Sequence, residues 1–85
     1  MSERQRAVAL RYLREEDEAP RVVAKGRGEV AARILELARR HGVPVRRDDD
    51  LAEVLLKLDV GASIPPELYQ AVAEVLSYLY KVNRA

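Results

Sequence analysis

The chain has no cysteine, tryptophan or phenylalanine, and one histidine among its 85 residues. Without thiols, disulfides, cysteine nucleophiles and cysteine metal sites are excluded. The aromatic side chains are Tyr12, Tyr69, Tyr78 and Tyr80, so a core has to be built from Val, Leu, Ile and Ala. Neither sign of charge dominates: fifteen Lys and Arg stand against fourteen Asp and Glu, a balance with little long-range pull toward nucleic acid or anionic lipid. No apolar run approaches the roughly 20 residues of a membrane span. Ser2-Glu3-Arg4-Gln5-Arg6 lacks the apolar stretch of a secretory signal. These absences lead us to expect a cytoplasmic protein without membrane insertion or a nucleic-acid partner. What is present suits a small globular fold: 48% of residues are apolar, which argues against disorder. Residues 1–85 are expected to form a single domain, with 1–6 disordered or leading into the first strand.

Ala7-Val8-Ala9-Leu10-Arg11-Tyr12 alternates as a strand does, with Val8, Leu10 and Tyr12 on one face. A helix over residues 4–15 stays open as the alternative, because Ala, Leu and Arg favour one. Glu15-Glu16-Asp17-Glu18 reads as a solvated loop, and Arg21-Val22-Val23-Ala24-Lys25, bounded by Pro20 and Gly26, as a second strand. Val30, Ala31, Ile34, Leu37 and Ala38 keep the three-and-four spacing of an amphipathic helix that stops at Gly42. Val43-Pro44-Val45 is predicted as a third, edge-type strand. Asp48-Asp49-Asp50 offers capping carboxylates to a second helix with Leu51, Val54, Leu55 and Leu58 inside. Val60-Gly61-Ala62-Ser63 turns the chain, and Pro66 starts the last helix, whose inner face carries Leu68, Val72, Val75, Leu76 and Leu79. The fold class is therefore α/β: a small mixed sheet of about three strands packed with three helices, in the order β-β-α-β-α-α.

Nothing in this pattern makes a catalytic set. His41 has no partner at ligand spacing and sits where a cation complements a helix carboxy end. Asp48-Asp49-Asp50 reads as a cap rather than a cation loop, which needs ligands spread over twelve residues. Gly26-Arg27-Gly28 opens a helix after a strand, yet neither phosphate-binding pattern is complete. Arg46-Arg47 reads as a solvated face, with no interleaved aromatics to stack bases. Ser2, Ser63 and Ser77 have no evident base. No cofactor or metal is expected.

Five boxes in order carry a family resemblance. They are Ala7–Tyr12; Ala19-Pro20-Arg21-Val22-Val23-Ala24-Lys25-Gly26; Val43-Pro44; Leu51-Ala52-Glu53-Val54-Leu55; and Ile64-Pro65-Pro66-Glu67-Leu68-Tyr69-Gln70-Ala71-Val72-Ala73-Glu74-Val75-Leu76. Together they resemble the cytoplasmic domain of the FlhB/YscU export-switch family of flagellar and virulence type III secretion. The resemblance implies a membrane-embedded export component whose domain cuts itself at an Asn-Pro-Thr-His motif. Here Ser2, Glu3, Arg4 and Gln5 occupy those positions. The attacking carboxamide is missing, so no self-cleavage is expected and the chain is read as non-enzymatic.

The resemblance also implies an apolar patch for early export substrates such as rod and hook subunits, at the positions of Ala19, Pro20, Ala73 and Leu76. The chain starts about where a cleaved family domain starts. It is therefore expected to be a free-standing copy of the post-cleavage half, with one sheet edge open. That edge would dock onto a membrane export-gate component, such as a truncated homologue, at the inner face of the membrane, or would form a homodimer. The alternative function is a free-standing adaptor or regulator that binds an export chaperone or assembly protein. A small enzyme or nucleotide-binding protein is a third reading, disfavoured by the incomplete phosphate loops.

Overall fold

The computed structural model describes residues 5–12 and 19–83. The elements are β1 (Arg6–Arg11), β2 (Arg21–Arg27), α1 (Glu29–Arg40), α2 (Asp49–Leu55), one 3-10 turn (Pro66–Leu68) and α3 (Tyr69–Asn83). Of the two readings open for the start of the chain, Arg6–Arg11 is strand, and it pairs antiparallel with β2.

Strand alternation gives this two-stranded sheet two different faces. One face is made of small residues (Ala7, Ala9, Ala24 and the Gly26 backbone), and α1 packs on both strands from that side. The other carries Val8, Leu10 and Val22 into a core with Leu55, Ile64 and Val72, joined by Leu51, Leu58, Leu68 and Leu76. Helices therefore lie on both sides of the sheet.

A bulge in β2 decides which of its two adjacent valines is buried. Ala9 faces Ala24, but Leu10 faces Val22, so Val23 is the extra residue. The skip turns Val22 inward to 0% exposure and leaves Val23 at 45%. Without it, strict alternation would place Val23 on the same side as Lys25.

The helix ends follow the expected chemistry. After α1 the Gly42 amide donates to the Arg39 carbonyl and the Val43 amide to the Ala38 carbonyl, with Gly42 at φ 69. This is a Schellman stop, which needs a left-handed residue, and His41 is its C-cap. Asp48 caps α2 by accepting a hydrogen bond from the Leu51 amide at 3.0 Å. Pro66 holds the first position of the 3-10 turn, where its missing N–H is not needed.

Four expectations are corrected. Val43-Pro44-Val45 forms no strand; it is exposed and outside the sheet. The outer side of β2 is instead occupied by residues 61–64. The Val22 amide donates to the Ala62 carbonyl, the Gly61 amide to the Val22 carbonyl and the Ile64 amide to the Pro20 carbonyl. A bridge joins Arg21 and Ser63. The segment expected only to turn the chain is thus the one that extends the sheet.

The inner stripe of α1 is narrower than its spacing implied. Ala31 is buried and Ile34, Leu35 and Ala38 are half-buried, whereas Val30 and Leu37 are exposed. Two strands about 5 Å apart cover less than the roughly 10 Å width of a helix. Likewise Val54 is exposed, because Leu51 and Leu55 take the core side of the short α2, with Leu58 packing just beyond its end.

Candidate functional site

Ala19 and Pro20 precede β2, and the Ile64 amide is tied to the Pro20 carbonyl at 2.9 Å. That bond sets Ile64 beneath the Ala19-Pro20 corner. The start of α3 completes the site, since Tyr69, Val72, Ala73 and Leu76 recur at the three-and-four spacing that shares one helical face. Together these residues and Tyr12 line an open apolar groove of about 220 Å³. Its floor is buried: Ile64 and Val72 are each 1% exposed and Ala19 is 7% exposed. Pro20 and Leu76 are half-buried and Ala73 is exposed.

All four residues expected to form an apolar patch, Ala19, Pro20, Ala73 and Leu76, thus line one groove although they come from opposite ends of the chain. Sequence reasoning missed four further members. Val72 was assigned only to packing, and Tyr69 was visible in the spacing of α3 without being read. Ile64 carried no local signal. Tyr12 was placed with Val8 and Leu10 on one face of the first strand; it lies just past the end of β1, 43% exposed, at the groove.

No lining residue is ionisable in the carboxylate, imidazole or cationic sense, so the groove offers neither an acid–base pair nor a metal ligand set. Among the described residues, no group of three or more His, Cys, Asp or Glu is placed to hold a metal ion. What its apolar lining offers chemically is the desolvation of apolar surface.

Charge gathers instead at the other end of β1. Arg6 and Arg27 face each other across the strands, and both donate to Glu53 of α2. Asp49 lies 3.8 Å from Arg6 and 3.5 Å from Arg47. The hydrogen bonds from Arg27, reinforced by Arg6 against some desolvation, hold the Glu53 carboxyl at about 2 instead of 4.5. Beside them, Lys25 Nζ donates to the Leu56 and Leu58 carbonyls at 2.9 and 2.6 Å, closing the carboxy end of α2.

Of the positions matched to the cleavage motif, Ser2, Glu3 and Arg4 lie outside the described residues. The Gln5 side chain is exposed, and its carbonyl accepts a 2.9 Å bond from the Gly28 amide. Among the described residues, no helix is long and apolar enough to cross a membrane.

Residues 4–79 match the family model described as the FlhB HrpN YscU SpaS family. The chain is 44% identical over 80 residues to the Bacillus subtilis protein YlqH, covering 94% of this chain and 86% of that one. It is 46% identical over 74 residues to the flagellar biosynthetic protein FlhB of Aquifex aeolicus, covering 86% of this chain but 21% of FlhB. It thus spans about a fifth of that FlhB. Among solved structures, it resembles the cytoplasmic domain of FlhB from Shewanella putrefaciens with a TM-score of 0.89 at 34% identity, covering 93% of this chain and 62% of that one. The PscU C-terminal domain superposes with a TM-score of 0.82 at 39% identity, covering 87% of this chain and 95% of that one.

Proposed function

The chain belongs to the FlhB HrpN YscU SpaS family, and from that membership we propose that it is a non-enzymatic protein-interaction module of the flagellar or type III export apparatus. Its groove captures export substrates, in docking or in specificity switching, on the cytoplasmic side of the membrane. The observation that carries this reading is the meeting of Ala19, Pro20, Ala73 and Leu76 in one uncharged groove with a buried floor. An apolar concavity on an otherwise charge-studded surface is the kind of place where partners bind. Its test is Ala73→Asp, which sets a carboxylate at an exposed position on the groove wall. Capture of rod- and hook-type subunits should fall about tenfold or more, the scale of an unpaired charge in a desolvated contact, with unchanged circular dichroism. Undiminished capture would falsify the docking role.

A second contact is supported by the free side of β1, which pairs with β2 alone among the described residues. Because Gln5 accepts from Gly28, the alternation of antiparallel bonds turns the backbone groups of Arg6 and Val8 outward. Such an edge accepts a strand from a partner. We propose the cytoplasmic stub of a membrane export-gate component as that partner. Hydrogen exchange at the Val8 amide should slow when the stub is added. A stub that leaves it unchanged, with self-association seen by light scattering, would point to a homodimer through the same edge. Binding of an export chaperone in place of subunits would favour the adaptor reading.

A further inference from the structure

The groove is mostly apolar. Two of its lining residues, Tyr12 and Tyr69, carry a polar side-chain group, a hydroxyl. The two residues come from different elements, one just after β1 and the other at the start of α3, and they are 43% and 47% exposed. Neither hydroxyl has a hydrogen-bond partner among the described residues. At about 220 Å³ the space is smaller than the roughly 300–1,000 Å³ of small-ligand clefts. It is larger than the ~150 Å³ cavity that encloses a benzene. It therefore suits one apolar side chain carried on a longer polypeptide.

A polypeptide laid over such a surface loses water from its own amide and carbonyl groups. Each group so stripped needs a new hydrogen-bond partner. We infer, resting on the docking function proposed above, that Tyr12 and Tyr69 are the specificity-determining rim of this groove. Their hydroxyls hydrogen-bond the main chain of an uncharged apolar segment whose side chain fills the floor. The floor then selects for apolar character, and the rim selects for a peptide backbone over a free hydrophobic molecule.

The test is an NMR titration of the ¹⁵N-labelled protein with a capped five-residue peptide, a leucine flanked by glycine and serine. Amide shifts are expected at Ala19, Ile64 and Ala73. Tyr12→Phe and Tyr69→Phe keep the rings and remove the hydroxyls, and each should weaken the peptide Kd about threefold or more, as loss of a neutral hydrogen bond does. Isobutanol at matched concentration, which has the apolar group without the backbone, should bind all three proteins alike. Phe variants that bind the peptide as the parent does, while Ala73→Asp does not bind it, overturn the rim role and leave docking intact. A parent protein without groove shifts at millimolar peptide also overturns the inference, and subunit capture judges the docking function separately.

Discussion

Arg27 grips Glu53 with two hydrogen bonds, at 2.9 and 3.0 Å, one to each carboxylate oxygen. Arg6, directly opposite Arg27 on β1, donates to the same carboxylate. Two like charges facing across strands repel, and Glu53 turns that repulsion into a clasp between the open end of the hairpin and α2. All three side chains are partly solvated, so added salt should weaken the clasp.

The clasp predicts a specific acid response. The folded-state pKa of Glu53 is depressed to about 2 from 4.5, so its stabilising contribution is complete above about pH 4.5. It is lost as pH falls from there toward 2. Glu53→Gln should be less stable than the parent at pH 7, and the gap should close across that window. Urea unfolding at pH 7, 4 and 2.5 measures it; a gap that widens on acidification would show the sign to be wrong.

The bulge in β2 predicts opposite outcomes for adjacent valines. Val22→Ala removes methyl groups from a fully buried site and should cost about 1–3 kcal/mol. Val23→Ala removes them from a half-exposed one and should stay within about 0.5 kcal/mol. Equal losses in thermal or chemical denaturation would mean that the bulge does not persist in solution.

Lys25 predicts a test of charge against stem. Lys25→Met keeps a long apolar side chain but leaves the Leu56 and Leu58 carbonyls without their donor. A loss of about 1.5–3 kcal/mol is expected, the range for bonds to charged groups. It should be accompanied by faster amide exchange in α2. A neutral result would mean that water satisfies these carbonyls equally well.

Gly26 marks a close approach of sheet and helix. A Cβ there would lie 2.6 Å from the Val30 Cβ and would also collide with its Cγ1. Because the first of these atoms is fixed to the α1 backbone, the helix itself has to move. Gly26→Ala should cost about 1–3 kcal/mol as overpacking does, and Val30→Ala combined with it should recover part of that loss. Failure of the double variant to recover any stability would point to the β2 backbone instead.

Much of the architecture was legible along the chain because its causes are local. Apolar spacing placed three helices. The Asp48 cap, the Gly42 stop and Pro66 marked three of their ends, and each is a hydrogen-bond requirement of the adjoining turn. The miss at Val43-Pro44-Val45 has an equally physical cause. A β-rich triplet becomes a strand only where its backbone reaches an open ladder; here the Val43 amide is held in the α1 stop by the Ala38 carbonyl, and residues 61–64 occupy the outer side of β2. Val30, Leu37 and Val54 were misplaced because spacing reports which residues share a face, not how much of that face a narrow sheet covers.

The groove divides in the same way. Ala19, Pro20, Ala73 and Leu76 were named from family resemblance, and the sequence by itself also excluded thiol chemistry and left no evident catalytic set. It determined the helical phase that puts Tyr69, Val72, Ala73 and Leu76 in one row. Only the tertiary structure decided that this row faces the Ala19-Pro20 corner, that Ile64 forms the floor and that Tyr12 stands at the rim. Those contacts join residues far apart in the chain through the Pro20–Ile64 bond and the shared core. Local periodicity carries no record of such pairings, because they form when distant apolar faces leave water together.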